Sequence, residues 1–405
     1  MATQTLSNIG GYLKRFYSGP IRDELNNSSV LDAQWKRDEP VSGDSLTAYI
    51  PHNYKRNQGI GFRAENSTLP TAGRRDHKYS SAALAFMYGS IELTGQSIRG
   101  SRDNATSFAK VVENEFKGMI QGLKKEKNRA WWGDGSGALS RVTQGTGAQS
   151  AEAFWTVDDA SRLEPGMVID SYTAKSGGSQ NLDSVTISQV DYRNNKVSLT
   201  TMQTITQNDY LFREDSRGLY PMGILGLIDG ADSAGSRILA AVQGITRAND
   251  IWFDANVLDN GGALRDANLD LIQQAFVLGE IIGQGRCKLI MLTYQLRRTY
   301  LDLLVADRRY VDKMKLAGGW TGLEYIGGAE PVAIVVDHMA PKNQAWFIDV
   351  DSFQVEHAGD IDFMDLDGAV LRKVSGKDVY EATVFQYLTL ACDAPNKNTV
   401  VRDLQ

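Results

Sequence analysis

One apolar stripe constrains this chain more than any other feature. Phe108, Val111, Val112, Phe116, Met119, Ile120 and Leu123 recur at i, i+3 or i+4 spacing, which predicts an amphipathic helix over residues 104–130. Asp103 or Asn104 can cap its start. Lys124, Lys125, Lys127 and Arg129 crowd its last turns, where the helix dipole favours cations, and Gly133 can end it. Gly118 and Gly122 each weaken the helix by about 1 kcal/mol relative to Ala, so packing has to supply its stability.

The flanking segments differ in texture. Residues 1–44 are polar and irregular, with short apolar clusters at Leu13, Phe16 and Tyr17 and at Val30 and Leu31. Pro20 and Pro40 break any long helix, so this segment reads as an extended arm that packs on something else. Residues 45–98 read as a β-rich excursion. It goes out through Leu46–Ile50 and the polar run Tyr54–Gly59, turns around Glu65–Gly73, and returns from Tyr79 to Leu93. The return places Leu84, Phe86 and Tyr88 on one face at period two. A hairpin with so little apolar surface is not stable alone, so it should lie against a neighbour.

Beyond the helix comes a Gly-rich corner, Gly133–Gly137, and then a run of short strands over 150–212. Phe154–Val157, Leu163–Asp170, Ser184–Tyr192, the turn Arg193–Lys196 and Val197–Leu199 predict a small β-barrel. Residues 213–365 alternate helix and strand. Leu269, Ile272, Ala275 and Phe276 mark a helix ending near Gly283, and Lys288–Leu292 is a buried strand. Thr293 caps a helix carrying Leu296, Tyr300, Leu303 and Leu304, and Pro331–Val336 and Trp346–Ile348 are further strands. Residues 366–405 hold a long strand pattern from Val379 to Ala391, ended by Pro395. The fold class is α+β.

At 405 residues the chain is too long for one ordinary compact domain, so two or three lobes are expected. With 42% hydrophobic and 23% charged residues it has a globular balance, so disorder is not expected for most of it. No stretch approaches the ~20 apolar residues of a bilayer span, and no basic region followed by an apolar core opens the chain. No membrane partner is expected. Cys287 and Cys392 leave one disulfide open, but two reduced thiols in a cytoplasmic protein are the stronger expectation. The net charge of −6 is uneven. Residues 1–140 hold 19 Lys and Arg against 14 Asp and Glu, and the remainder holds 24 against 35. That split reads as solvated faces, or as an N-terminal part near nucleic acid or an acidic partner.

Motifs for chemistry are missing. Gly376-Lys377 lacks the upstream glycine of a phosphate-binding loop, and Gly133–Gly137 follows a helix and does not open one. Ser136 is not in a nucleophile elbow. His52, His77, His338 and His357 are not at metal-ligand spacing. The acidic run Asp349, Asp351, Glu356, Asp360, Asp362, Asp365 and Asp367 fails the calcium-loop order at Met364 and selects no carboxylate pair, so it reads as a solvated edge. No catalytic residue, metal or cofactor is expected, and the chain does not read as an enzyme. Arg74 and Arg75 with His77 and Lys78 form a basic patch with only Tyr79 as a nearby aromatic. Such a patch fits the acidic surface of a neighbouring subunit at least as well as nucleic acid.

The order of parts is arm, long hairpin, long helix, Gly-rich corner, mixed lobe and long C-terminal strand. It resembles the major capsid proteins of tailed phages, whose fold is named after phage Hong Kong 97 and shared with encapsulins. Three stretches carry the likeness. Asn128–Gly137 looks like the end of the family's spine helix and the corner after it. Leu219–Leu227 is similar to the re-entry that follows, and Gly328 through Pro395 resembles the closing strands. The likeness spans nearly all of the chain outside 150–212.

The resemblance implies an N-terminal arm (1–44), an extended hairpin loop (45–98), a peripheral domain with the spine helix (99–149), an axial domain (213–365) and peripheral C-terminal strands (366–405). Residues 150–212 depart from it and read as an inserted β-barrel domain. The implied function is self-assembly, as pentamers and hexamers, into an icosahedral virion shell around double-stranded DNA, built in the host bacterial cytoplasm. The implied partners are a separate scaffolding protein, a portal protein, a decoration protein and, non-specifically, the packaged DNA. Lys55, Arg56, Arg63, Arg74, Arg75 and Lys78 of the hairpin are the expected subunit interface, facing acidic groups such as Asp360, Asp362, Asp365 and Asp367. Phe108, Val112, Phe116, Met119 and Leu123 would pack the spine helix, and Trp131, Trp132, Gly133, Asp134, Gly135 and Gly137 form the corner. Some family members crosslink a hairpin lysine to an asparagine. Lys55 and Lys78 are the donors to consider, and Asn396 and Asn398 the acceptors. The rival readings are an encapsulin shell, a phage adhesion protein, and a carbohydrate-active hydrolase with a β-module at 150–212.

Overall fold

The computed structural model describes residues 29–37, 41, 46–96, 105–143, 154–201, 203–306, 313–315, 321–325, 331–365 and 370–405. Asp103, Asn104, Asp367 and most of the arm fall outside them, as do the side chains of Phe108, Val111, Val112, Leu303 and Leu304.

The long helix runs from Ala105 to Trp131. Its buried stripe extends further than the apolar pattern suggests: Phe116, Ile120, Leu123, Lys127 and Trp131 follow one another at steps of three or four, and all are buried. The first three, with Met119 half-buried beside them, lie on a six-stranded sheet built around the strand Val379–Cys392. One edge of that strand pairs with Ala85–Thr94. The other pairs in turn with Phe353–His357, Asp362–Phe363 and Arg372–Lys373. Lys36–Arg37 adds a parallel strand beyond Phe353–His357. Ile91, Leu93, Ala382 and Val384 supply the sheet's half of the core, and the Phe116 ring meets Phe363 edge-on at 5.6 Å. A Cβ on Gly89 would sit 3.0 Å from Leu123 Cδ1, which shows how closely helix and sheet approach.

A seven-stranded sheet forms the second lobe. Its order is Asn256–Leu258, Thr399–Val401, Ala345–Ile348, Leu289–Leu292, Val332–Val336, Thr321–Tyr325 and Lys313–Lys315. Its central strands are apolar throughout because both faces are covered. Ile290, Leu292, Ile334 and Phe347 face the helices Leu269–Gly283 and Tyr294–Ala306. Leu289, Met291, Val335, Trp346 and Ile348 face a central core with Trp35, Trp131 and Trp132. Trp132 meets Trp346 at 5.8 Å and Trp35 meets Trp131 at 5.3 Å, both edge-on.

A buried ion cluster sits in this core. The helical turn Val30–Gln34 is capped by Ser29, whose hydroxyl accepts the Asp32 N–H at 3.2 Å. The Asp32 carboxylate accepts from Lys127 Nζ at 2.9 Å, from Arg37 at 3.0 Å and from Trp131 Nε1 at 3.2 Å. The Lys127 and Asp32 side chains are 1% and 0% exposed. Burial pushes the Lys127 ammonium below its usual range, while Asp32 pulls the other way. The expectation that Lys127 and Arg129 serve the helix dipole is therefore incomplete. Both are buried, and Arg129 bonds Glu126 at 2.7 Å.

The corner after the helix is shaped by close approach. Gly135 and Gly137 take φ of 82° and 78°, a region that favours glycine. A Cβ on Gly137 would meet Tyr220 Cδ2 at 2.6 Å. Gly223, in the returning segment, lies against the helix end: a Cβ there would meet Ala130 O at 2.4 Å and the carbonyl oxygens of Trp131 and Gly133 at 2.7 Å. The corner and the re-entry are thus one packed unit.

A third sheet of six strands runs Ala138–Arg141, Tyr210–Arg213, Val168–Tyr172, Gln180–Asp191, Lys196–Leu199 and Trp155–Thr156 around its own core of Leu139, Trp155, Ile169, Leu182, Ile187 and Leu211. Its outer strands meet through a Val142–Val157 bridge and through bonds from Thr143 N to Thr156 O and from Asp158 N to Arg141 O, both 2.9 Å.

Four sequence expectations are corrected here. The return strand is not continuous. Asp76–Ala83 pairs with Thr47–Lys55, but beyond Leu84 the chain leaves the hairpin and Ala85–Thr94 joins the long strand. The burial phase slips at that point: Leu84 is buried, whereas Phe86 and Tyr88 are exposed, so the three do not share a face. The β-module takes in Ala138–Arg141, ahead of residue 150. Phe353–His357 and Asp362–Phe363 belong with the helix-bearing sheet, not with the mixed lobe. Thr399–Val401 belongs with the mixed lobe, not with the long strand before it.

Two predictions follow from this packing. Gly223→Ala forces three carbonyls apart and should cost about 1–3 kcal/mol in denaturant unfolding, whereas Gly118→Ala, with nothing within 4 Å of the new methyl, should stabilise by about 1 kcal/mol. Lys127→Met takes one of two cations from a buried carboxylate that keeps Arg37 and Trp131, and should cost about 1.5–3 kcal/mol in denaturant unfolding. Combined with Asp32→Leu it should cost less than the two single changes added, as measured in a double-mutant cycle.

Candidate functional site

The hairpin Thr47–Lys55 and Asp76–Ala83 projects from where the two large sheets meet. One face of it is buried, through Ala48, Ile50, His52, Ser80 and Ala82, and the other exposes Tyr49 and Tyr79. The root is held by the segment 243–253. Ser81 N donates to Gln243 O at 2.8 Å, the Tyr54 ring stacks on Trp252 at 5.6 Å, and Lys78 Nζ lies 2.5 Å from Asp250. The Lys78 and Trp252 bonds hold the Asp250 carboxyl below the usual carboxylate range. Lys55 lies 3.4 Å from Asp76, which raises its own affinity for the proton, and both Lys55 and Lys78 lie over the Tyr54 ring. These two lysines are therefore engaged within their own chain.

The loop 56–75 is different. Asn57 Oδ1 accepts the Gly59 N–H at 2.8 Å, and Gly59 and Gly73 meet so closely that a Cβ on Gly59 would lie 2.8 Å from Gly73 N. This waist isolates a tip. On it Ile60, Phe62 and Leu69 are 64%, 103% and 79% exposed. Arg63 on the tip and Arg56, Arg74 and Arg75 beside the waist are all exposed. Arg74 approaches Asp76 at 3.8 Å; Arg56, Arg63 and Arg75 form no ion pair among the described residues. The apolar tip residues were not singled out in the sequence, although Ile60-Gly61-Phe62 stands out within a polar run.

A second exposed surface lies on the helix-bearing sheet, on the face away from the helix. The cross-strand pairs Phe86–Tyr387, Tyr88–Phe385, Ser90–Thr383 and Glu92–Glu381 run along it. Phe86 and Tyr88 are about half-exposed, and the Tyr387 ring meets them at 4.7 and 6.1 Å. The face thus has an aromatic end and an acidic end. Two carboxylates directly opposite repel one another, so the acidic end favours a cation.

The acidic run is not one edge. Asp349 and Glu356 are buried, and Asp351 meets Lys36 at 3.6 Å and also pairs with Lys288. Asp360 is exposed and near enough to Lys127 to act on its charge, while Asp362 and Asp365 are half-buried. Asn398 is excluded as a surface acceptor. It is buried, its Oδ1 accepts the Asp349 N–H at 2.8 Å, and its Nδ2 donates to Ser352 Oγ at 3.1 Å.

The corner carries one more arrangement. Asp134 accepts from Ser136 N at 3.1 Å and from Lys175 Nζ at 2.5 Å, which holds its carboxyl low despite burial. Lys175 belongs to the β-module, whose other ties to the body are also polar. Arg162 donates to Met339 O at 3.0 Å, Lys342 meets Asp159 at 2.9 Å, and Arg213 meets Glu126 at 3.0 Å. Cys287 and Cys392 are free thiols, and burial pushes Cys287 up to about 12. Among the described residues no helix is long and apolar enough to cross a membrane, and no cluster of His, Cys, Asp or Glu has metal-site geometry.

No protein-family model and no curated protein matches the chain. Solved structures do match. A chain of the cyanophage A-1(L) capsid asymmetric unit is 12% identical, with 92% of each chain covered and a TM-score of 0.53. The capsid of a native GTA particle is 9% identical over 94% of this chain and 91% of that one, with a TM-score of 0.49. The SrpI encapsulin of Synechococcus elongatus PCC 7942 is 6% identical over 92% and 85%, with a TM-score of 0.48. The two weaker likenesses add no weight. The first, spanning nearly the full length of both chains, establishes that this chain has the tailed-phage capsid fold.

Proposed function

We propose that this chain is the major shell subunit of a tailed-phage head, assembling into pentamers and hexamers around double-stranded DNA in the host cytoplasm. The observation that carries this reading is the hairpin tip. Ile60, Phe62 and Leu69 cost free energy in water, and the four arginines of the same loop find little charge compensation among the described residues. A second copy supplies what is missing. Its Asp360–Asp365 stretch offers charge alone. Its sheet face offers charge at Glu92 and Glu381 and apolar surface at Phe86, Tyr88, Phe385 and Tyr387, and so suits the tip better. Such a contact is head-to-tail, and head-to-tail contacts close into rings. Each exposed ion pair is worth only ~0–1 kcal/mol, so the arginines set register more than strength.

The six-stranded β-module is read as an inserted barrel domain, held to the shell unit by ion pairs at its base. A scaffolding protein, a portal, a decoration protein and the packaged DNA are the further partners of this reading. No catalytic role is proposed: among the described residues the acidic side chains are absorbed in structural bonds or spread along surfaces.

The test is co-expression with the scaffold, followed by electron microscopy of the high-mass fraction. Arg74→Glu with Arg75→Glu should leave a monomer with unchanged thermal unfolding and abolish shells. Phe62→Ser should lower the yield of shells and raise the concentration at which they form. Normal particles from the double arginine variant would overturn the interface assignment.

A further inference from the structure

We propose that His52 makes the hairpin root an acid-released clasp: a second proton on its imidazole frees the hairpin from the segment 243–253. The inference concerns a single chain, so it does not depend on the shell reading.

The imidazole is buried at the point where three parts of the fold meet. Its Nε2 lies 2.7 Å from Ser80 Oγ on the partner strand. Trp252 and Phe253 flank it, with ring centroids at 5.6 and 5.4 Å. The backbone of Asp393, just beyond the long strand, supplies a further hydrogen bond. Of the charged groups near the slot, the Asp393 carboxyl binds its proton more tightly because of burial. Lys78 stands directly opposite His52 across the hairpin, and its charge is taken up by Asp250. Lys55 and Asp76 pair with each other at the hairpin's far end. Asp393 contributes its backbone. An imidazolium here would face an indole, a phenyl ring and an ammonium, and among the described residues no carboxylate pairs with it.

The sign follows from burial. Desolvation lowers the imidazole's affinity for the proton from its ordinary 6.5, and the Asp393 bond only partly restores it. The docked root then binds fewer protons than the released one. Docking is fully favoured above pH 6.5 and loses that advantage as pH falls below 6.5 and through the lowered docked value. What moves is the hairpin and not the segment beneath it. That segment is pinned to the mixed lobe by Arg247, which is buried and bonds Asp229 at 2.8 Å and Gly226 O at 3.0 Å. Among the described residues the hairpin side is held, besides His52 itself, by the Ser81–Gln243 bond, the Tyr54–Trp252 stack, the Lys78–Asp250 pair and the small Ile50–Ala82–Ala391 contact.

Hydrogen exchange of the full, unassembled chain tests this, read over 47–55 and 76–83 at pH of about 7.5 and about 5 after correction for intrinsic rates. Exchange in both strands should rise several-fold at the lower pH, while the β-module strand Gln180–Asp191 holds steady. In His52→Gln, which keeps a hydrogen-bonding side chain without the titration, the hairpin should exchange equally at both. An unchanged wild-type hairpin, or a His52→Gln variant that keeps the pH response, overturns the proposal. If that variant does not fold, the wild-type His52 ring resonances decide: titration below 6.5 supports the clasp, and titration at or above it overturns it.

Discussion

The Asp32 carboxylate is where the parts of this fold are tied together. Three donors converge on it: Lys127 and Trp131 from the end of the long helix, and Arg37 from the strand that starts the helix-bearing sheet. Two of these contacts tie the N-terminal turn to the helix and the third ties it to the sheet, so the carboxylate settles its register against both at once. A buried carboxylate disfavours any arrangement that would leave it without its cations, a penalty that an apolar junction lacks. Around it the tryptophans do the filling. Trp35, Trp131, Trp132 and Trp346 span the distance between the two large sheets that smaller side chains would leave open.

The fold could be read largely from its periodicities. The helix stripe, the two apolar-throughout strands Leu289–Leu292 and Val332–Val336, and the turn Arg193–Lys196 all follow from spacing alone, and they fall where that spacing puts them. Partner choice was not legible in this way. Whether Ala85–Thr94 continues the hairpin or joins a strand three hundred residues on depends on a phase slip at Leu84 that looks like noise in a single sequence. The same holds for Lys127. It sits in step with Phe116, Ile120 and Leu123, but a lysine at a helix C-terminus reads as a surface cation until Asp32 is seen beneath it. At the hairpin the charges were legible and the chemistry was only half so. Arg56, Arg63, Arg74 and Arg75 are exposed, Lys55 and Lys78 are held internally, and the aromatic sheet face was not legible because it forms only when Phe86 and Tyr88 meet Tyr387 and Phe385 from the far end of the chain.

The three sheets also differ in how they are joined. The two large ones share an aromatic core, while the β-module touches the body through Asp134–Lys175, Asp159–Lys342, Glu126–Arg213 and the Arg162–Met339 bond. Polar junctions of this kind resemble those between domains that move relative to one another. The module has a complete core of its own, so its presence asks little of the rest of the chain.

The strand Val379–Cys392 has a consequence for how the protein is made. It is the hub of one sheet, and Thr399–Val401 just after it lies between two strands of the other. On the ribosome these residues appear after everything they pair with. Neither large sheet can close until they emerge, so the long helix and the hairpin must wait in an unfinished state, with apolar surface that chaperones can recognise. A chain ordered this way completes its aromatic face only when Phe385 and Tyr387 emerge, and its hairpin root only when Ala391 and Asp393 do.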